Sequence, residues 1–187
     1  MPEGKVVKDP NEVDLTDKGL MQARLVDKNT KNIHFERILS SGLPRTIQTG
    51  VHMAERRNIK IESYPQLKEY QWDPKSFKNN DVKQFGYLFE NSKSKEAIGG
   101  IEEADEFYER VVNQIQKILK EEWNQIALVL HGAVNAAIMC WMSDIDISFA
   151  SKFDQDHAAL NILDIDITEN GKIISCLLYT SPSPRDY

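Results

Sequence analysis

Two segments of the chain place residues that can hold an anion directly after short apolar runs. The first, SSGLPRTIQT at 40–49, offers Ser40, Ser41 and Arg45 around the start of a predicted helix. Backbone N–H groups and the helix dipole favour an anion at such a position. An arginine adds a planar fork of donors that matches two oxygens of a phosphate group. The segment therefore predicts an anion site; the alternative is that Arg45 is a solvated residue at a helix start.

The second segment, VLHGAVNAA at 129–137, puts His131 at the end of the apolar run IALVL. We predict that this run is a strand buried on both faces. Gly132 has no side chain and would let a ligand approach the backbone closely. The alternative is that His131 is a core histidine with satisfied hydrogen bonds. Ligands of open parallel sheets bind beyond the carboxyl ends of the strands, so two such turns in one chain favour a site.

These turns need a parallel sheet to position them, and apolar periodicity supplies its elements. Helical spacing predicts helices over 15–26 with Thr16 as N-cap, from Arg45 to about Arg56, over 101–123 and over 132–142. Strands are predicted within 34–41, 58–64 and 126–130, and 157–175 reads as a hairpin closed by Asn170-Gly171.

Alternation of strands and helices predicts a three-layer α/β/α fold with a mostly parallel sheet and helices on both faces. The helix at 101–123 carries an apolar stripe formed by Phe107, Val111, Ile115 and Ile118. The predicted core face of the following helix consists of Val134, Ile138, Trp141 and Met142. The polar, lysine-rich stretch 73–100 is interpreted as a partly helical insertion rather than a domain.

Composition narrows the function classes. A chain of 187 residues, 41% hydrophobic and 28% charged, is typical of one globular domain, which we place at 1–176. The net charge of −6 argues against a nucleic-acid partner. No apolar run has the length of a membrane span, and 1–14 has no secretory h-region. Cys140 and Cys176 have no metal-like spacing and fit a reducing, cytoplasmic location.

Five segments, in order, resemble the histidine phosphatase superfamily, also called phosphoglycerate mutase-like. LTDKGLMQA is similar to its L-T-x-x-G-x-x-Q-A segment, and SSGLPRTIQT to its S-S-x-L-x-R-[AT]-x-Q-T turn. YPQLKE resembles its L-x-E segment, and IGGIEEADEFYERV its G-G-E-S-x-x-[DE]-x-x-x-R-V region. LVLHGAVNAAIM resembles its V-x-H-G-x-x-[IL] strand and turn.

The resemblance implies transfer of a phosphoryl group to a nucleophilic histidine, followed by hydrolysis of the phosphohistidine, with no metal or cofactor. It implies that Arg45 and His131 hold the phosphoryl oxygens, assisted by the N–H of Gly132. Glu69 would be the general acid, which needs a raised pKa to carry a proton near neutrality. Asp73 and Glu62 are rivals for that role.

The same resemblance implies that Arg110 has a structural part on its helix. It implies a small phosphorylated substrate or a phosphoprotein as partner. Neither the substrate nor the oligomeric state follows from the sequence. The segment after the acid favours a phosphatase over a phosphoglycerate-mutase-type isomerase because its insertion is of modest length.

One family motif is absent from the sequence. The family begins with a central strand that ends in Arg-His-Gly and carries the nucleophile, and no Arg-His-Gly occurs in the chain. His34, His52 and His157 are poor substitutes because none follows a predicted strand. We therefore expect a gap in the middle of the sheet, low stability and no turnover by the chain as given.

The stretch 177–187, LLYTSPSPRDY, does not continue the pattern, because its two Ser-Pro steps cannot belong to a helix or a central strand. We interpret it as a non-native tail on an incomplete gene product; a natural disordered tail is the alternative. Two further functional readings stay open: a non-catalytic phosphate-binding pseudo-phosphatase, and an unrelated α/β protein.

Overall fold

The computed structural model describes residues 10–71, 102–153, 155–168 and 171–180. Its helices are α1 (Asp17–Asn29), α2 (Pro44–Arg57), α3 (Ala104–Leu119) and α4 (Gly132–Met142). Its strands are β1 (Arg37–Ser40), β2 (Ile61–Ser63), β3 (Ile126–Val129), β4 (Leu160–Thr168) and β5 (Gly171–Thr180). Short 3-10 turns lie at Pro10–Glu12, Pro65–Leu67 and Ile147–Lys152. The predicted insertion at 73–100 lies outside the described residues.

The predicted class, a mixed α/β protein with a parallel sheet and helices, is confirmed. The chain divides into two compact units: the first holds residues up to 65, 123–130 and those from 155 onward, and the second holds 66–122 and 131–154. The first unit contains all five strands together with α1 and α2. The second contains α3 and α4.

The first unit is built on a parallel sheet with the strand order β2-β1-β3. Helix α2 packs on these strands and α1 packs on α2. Thr16 caps α1 as predicted, since its side chain accepts a hydrogen bond from the N–H of Gly19 at 3.2 Å. The buried core of this unit comprises Val26, Ile38, Met53, Ala54 and Val129.

The described strands form two separate sheets, one of three strands and one of two. In the first, Ile38 of β1 pairs with Ile61 of β2 on one edge and with Ala127 of β3 on the other. The gap expected in the middle of the sheet stays a prediction. Ser40 and Val129, the last residues of β1 and β3, are register partners. The strand order reverses at this pair, the point at which open α/β sheets bind ligands.

The expectation that β3 is buried on both faces was wrong. Val129 is buried, but Leu128 is 36% exposed. In the described sheet β3 stands at the end of the strand order and has one neighbouring strand, β1. A short apolar run does not reveal whether its strand has one neighbouring strand or two. For this reason the sequence predicted more burial for β3 than the structure shows.

The hairpin predicted at the C-terminal end is confirmed as the antiparallel pair β4-β5, whose register runs from Leu160↔Thr180 to Thr168↔Gly171. The register shifts once, between Asp164 and Ile165. Strand β5 continues to Thr180, so residues 177–180, which we had left out of the fold, pair with β4. The sequence of these residues shows little alternation of apolar and polar side chains. Their pairing therefore follows from the partner strand rather than from their own pattern.

The second unit packs α3 against α4. The stripe predicted for α3 is confirmed, since Phe107, Val111, Ile115 and Ile118 are each no more than 2% exposed. Helix α4 is buried on more sides than predicted: Trp141 is only partly buried, whereas residues outside the predicted face, including Ala137 and Cys140, are completely buried. A helix that is apolar all round has no single core face to read from its sequence.

Candidate active site

The arginine turn begins where β1 ends. Gly42 adopts a φ of +83°, a conformation that L side chains rarely take, and it turns the chain from the strand into α2. Leu43 is the N-cap of α2, and Pro44 occupies the first helical turn, where its missing N–H has no partner to lose. Arg45 follows as a partly buried residue in the first turn of α2. The sequence therefore places this guanidinium at a helix N-terminus, as predicted.

Three buried hydroxyl groups hold the arginine turn together. Thr46 Oγ1 lies 2.8 Å from Ser40 Oγ and 3.0 Å from Ser41 Oγ, and it donates to the carbonyl of Leu43 at 2.8 Å. Ser40 Oγ also accepts a hydrogen bond from the N–H of Gly42 at 2.9 Å. Buried hydroxyls with these partners restrict the backbone, so the direction of the first turn of α2 is tightly defined.

Gln48, one turn further along α2, connects the arginine helix to the segment before α1. Its Oε1 accepts a hydrogen bond from the N–H of Leu15 at 2.7 Å, and its Nε2 donates to Asp14 Oδ1 at 2.8 Å. No role had been predicted for Thr46 or Gln48. Both stand at defined positions of the quoted S-S-x-L-x-R-[AT]-x-Q-T turn, and that motif was the signal available for them.

The histidine turn precedes α4 in the second unit. His131 is the N-cap of α4, only 7% exposed, and its carbonyl accepts a hydrogen bond from the N–H of Asn135 at 2.8 Å. Gly132 is exposed, and a Cβ built on it would have no other atom within 4 Å. Among the described residues, nothing therefore crowds the backbone at Gly132.

Glu69 lies against this turn. Its Oε1 accepts a hydrogen bond from the N–H of Tyr70 at 2.9 Å, and its Oε2 accepts one from the N–H of Ala133 at 3.4 Å. Ala133 is in the first turn of α4, two residues after His131. The structure thus brings together Glu69 and the His131–Gly132 turn, which are more than sixty residues apart in the sequence.

Glu62, a rival for the role of general acid, is engaged elsewhere. Arg37 donates to both of its carboxylate oxygens, from Nε to Oε1 at 2.8 Å and from Nη2 to Oε2 at 2.6 Å. The hydrogen bond from Arg37 lowers the pKa of Glu62 below its ordinary value. A proton donor needs the opposite shift, so Glu62 is a poor candidate. The other rival, Asp73, lies outside the described residues.

The remaining histidines belong to neither turn. His34 is exposed ahead of β1, His52 sits on α2 with Nδ1 3.7 Å from a carboxylate oxygen of Glu55, and His157 is exposed in the turn before β4. Arg110, for which we expected a structural part on α3, bonds to Glu102 and to three backbone carbonyls. Glu102 was missed by the sequence analysis, although it occupies the acidic position of the quoted G-G-E-S region.

Two general features complete the description. Across 10–71, 102–153, 155–168 and 171–180, no three histidine, cysteine, aspartate or glutamate side chains are grouped as a metal site requires. None of the helices in this described part is long and apolar enough to span a membrane.

The fold defines a class, a mixed α/β protein with a parallel sheet and helices, and comparison with known proteins identifies the family. The model of the histidine phosphatase superfamily (branch 1) matches residues 2–176. The chain belongs to this superfamily, and the resemblance found in its motifs is confirmed.

Among curated proteins, phosphoserine phosphatase 1 of Hydrogenobacter thermophilus is 26% identical over 164 residues, covering 84% of this chain and 77% of that protein. The crystal structure of the alpha-ribazole phosphatase from Shigella flexneri matches with a TM-score of 0.71 at 18% identity, covering 89% of this chain and 84% of the other. A mutant phosphoserine phosphatase from Entamoeba histolytica in complex with phosphoserine matches with a TM-score of 0.69 at 17% identity, over 89% and 84% of the two chains. These structural similarities concern the fold.

Proposed function

We propose that this sequence is that of a phosphoric monoester hydrolase, which works through a phosphohistidine intermediate. In this proposal Arg45 and His131 hold the oxygens of a phosphoryl group, and the N–H of Gly132 contributes a further donor. Such positive charge and fixed donors are what phosphoryl transfer requires from a protein. The observation that carries the proposal is the contact of the Glu69 carboxylate with the first turn of α4, the helix that His131 caps.

Glu69 has the role of general acid in this scheme. The nucleophilic histidine forms a bond to phosphorus as the bond to the leaving oxygen breaks, and protonated Glu69 gives its proton to that oxygen so that the alcohol departs. Water then attacks the phosphorus and gives a proton to Glu69, and the nitrogen–phosphorus bond breaks to release inorganic phosphate and the free histidine. The Arg-His-Gly motif that supplies the nucleophile in the family does not occur in these 187 residues. We therefore expect a chain of this sequence to bind phosphate without turning over substrate.

The proposed substrate is a small phosphate monoester, and phosphoserine is the first to test because of the relative named above. A non-catalytic phosphate-binding protein is the second candidate, favoured by the absence of Arg-His-Gly beside the retained Arg45 and His131. The buried free thiol of Cys140 supports a reducing, cytoplasmic location.

A phosphate titration tests the proposal. The 187-residue chain, labelled with ¹⁵N, is titrated with inorganic phosphate while the amide resonances of Gly132 and Ala133 are followed. Arg45→Ala should weaken binding about tenfold or more, because a charge-assisted hydrogen bond contributes about 1.5–3 kcal/mol. Arg24→Ala, which removes an exposed arginine of α1, is the matched control and should bind as the unaltered chain does. Absence of binding, or equal binding by Arg45→Ala, would overturn the proposal.

Incubation with ³²P-labelled phosphate ester separates the two candidates. We expect the 187-residue chain to form no acid-labile phosphorylated species. Adding a strand that ends in Arg-His-Gly ahead of residue 1 should produce that species and turnover if the hydrolase proposal is correct. An extended chain that binds phosphate and remains inactive would support the non-catalytic candidate instead.

A further inference from the structure

We propose that Arg110 is a positioning residue for Glu69, acting through the backbone of the segment that carries Glu69. The proposal rests on the proposed function, since it gives meaning to the placement of Glu69 as proton donor. It goes beyond the structural part expected for Arg110, because it assigns the arginine a specific effect on the carboxylate that lies against α4.

The guanidinium of Arg110 holds the chain directly before and at Glu69. Nη1 donates to the carbonyls of Gln66 at 2.6 Å and Lys68 at 2.9 Å, and Nη2 donates to the carbonyl of Glu69 at 3.3 Å. Gln66 lies in the 3-10 turn Pro65–Leu67, and Lys68 and Glu69 follow it and belong to no helix or strand. Arg110 therefore supplies the hydrogen bonds that secondary structure would otherwise provide.

Glu102 fixes the guanidinium in turn. Arg110 Nε donates to Glu102 Oε1, and Nη2 donates to Glu102 Oε2 at 2.8 Å. The guanidinium carbon also lies 4.9 Å from the centre of the Phe107 ring. A guanidinium has five N–H donors in a rigid fork. Here the contacts to one carboxylate and three carbonyls use all five, so its orientation is fully determined.

The chain directly after Glu69 is held by the same residues. The Tyr70 hydroxyl donates to the carbonyl of Glu102 at 2.5 Å, and the Tyr70 ring packs edge-on against Phe107 with centroids 5.3 Å apart. Tyr70 is buried, and burial raises its pKa, so the hydroxyl keeps its proton for this bond. With its backbone held on both sides, Glu69 has little freedom except rotation of its side chain.

That constraint limits where the carboxylate of Glu69 can lie. Its Oε2 is 3.4 Å from the N–H of Ala133, a contact that a shift of the segment by one ångström would remove. Proton donation to a leaving group depends on placement at this scale. Lysine could keep the charge of Arg110, but its single nitrogen cannot reach one carboxylate and three carbonyls in a fixed plane. Arg110→Lys therefore tests the position of Glu69 with the charge retained.

The experiment follows the amide of Ala133 during a pH titration of the 187-residue chain. In the unaltered protein we expect the Ala133 amide resonance to shift as Glu69 gains its proton, and Glu69→Gln should abolish that shift. Arg110→Lys should also abolish it, because the carboxylate no longer lies against the amide. A merely structural role for Arg110 would leave the shift in place in the folded fraction.

Arg57→Lys is the matched control. Arg57 likewise donates to the carbonyls of Thr30, Ile33 and Met53, and its guanidinium lies 4.6 Å from the centre of the Phe35 ring. It belongs to the first unit, so its replacement should lower stability and leave the Ala133 titration intact. If Arg110→Lys fails to fold, Glu102→Gln is measured instead and should reduce the same shift.

An Ala133 titration that is unchanged in Arg110→Lys, or lost equally in Arg57→Lys, would overturn the positioning role. This measurement uses no phosphate. Failure of the phosphate titration would therefore count against the proposed function alone, and the two failures can be told apart.

Discussion

Arg37 and Glu62 form a two-bond ion pair between β1 and β2, with Arg37 Nε 2.8 Å from Glu62 Oε1 and Nη2 2.6 Å from Oε2. The same Nη2 donates to the hydroxyl of Tyr64 at 2.7 Å. Because this pair engages the carboxylate of Glu62 and lowers its pKa, Glu62 is a poor candidate for the proton donor, and Glu69 is the one that we propose. We expect the same ion pair to contribute to the stability of the fold.

Glu62→Gln should lower the free energy of unfolding at pH 7 by about 1 kcal/mol or less, because the pair is partly exposed and screened. The pKa of Glu62 is lowered in the folded chain, chiefly by the hydrogen bond from Arg37. Its contribution is therefore present above the ordinary value of 4.5 and is lost as the pH falls through the folded value. Urea unfolding of the unaltered protein and of Glu62→Gln, at pH 7 and at pH 3, compares the contribution of the pair above and below the ordinary pKa.

The control for this ion pair is Glu55→Gln on α2, whose side chain is 70% exposed. It should change stability by no more than about 0.5 kcal/mol at either pH. An effect of Glu62→Gln that is the same at pH 3 as at pH 7 would show that the charge of Glu62 is not the cause.

Thr46→Val should destabilise the protein by about 1–3 kcal/mol, because it removes the hydroxyl that joins Ser40, Ser41 and the carbonyl of Leu43 in a buried site. Thr49→Val makes the same change three residues later, where the hydroxyl donates only to the carbonyl of Arg45. Such bonding within a helix contributes little, and we expect an effect within about 0.5 kcal/mol. Equal losses in the two variants, measured by urea unfolding, would contradict this account of the turn.

Asn58 ends α2 in the left-handed conformation, with φ 53° and ψ 42°. Asn58→Ala should cost about 1 kcal/mol because a Cβ without a compensating polar group is strained there. Asn58→Gly should be neutral or slightly stabilising. Thermal unfolding of both variants, with the exposed Lys60→Ala as control, provides the measurement. A stability order that places Ala above Gly at position 58 would refute the prediction.

Cys140 should be unreactive in the folded protein. It is completely buried in α4. Burial, the larger cause, and the negative charge of Asp146, the smaller one, raise the pKa of its thiol to about 11. At pH 8 only about one thiol in a thousand would then be ionised, and the thiolate is the reactive form. In a Cys176→Ser background we expect an aromatic disulfide reagent to label Cys140 slowly without urea and completely in denaturing urea. Rapid labelling of the folded protein would mean that α4 opens readily.

The local elements and the two turns could be predicted from the sequence because neighbouring residues determine them. Thr16 caps α1, the stripe headed by Phe107 lies buried on α3, and Arg45 stands in the first turn of α2 behind Pro44. Capping, helical periodicity and the geometry of proline act over a few residues. For the same reason five ordered local motifs, those at Arg45 and His131 among them, were sufficient to indicate the family.

Only the tertiary structure decided which strands meet and which acidic residue reaches the histidine turn. The direct pairing of β1 with β3, the exposure of Leu128 and the extension of β5 to Thr180 depend on partners distant in the sequence. Glu62 and Glu69 are only seven residues apart and chemically alike, yet one is paired with Arg37 and the other lies against Ala133. Contacts of this kind are formed between segments that folding brings together, so no local pattern distinguishes the two carboxylates.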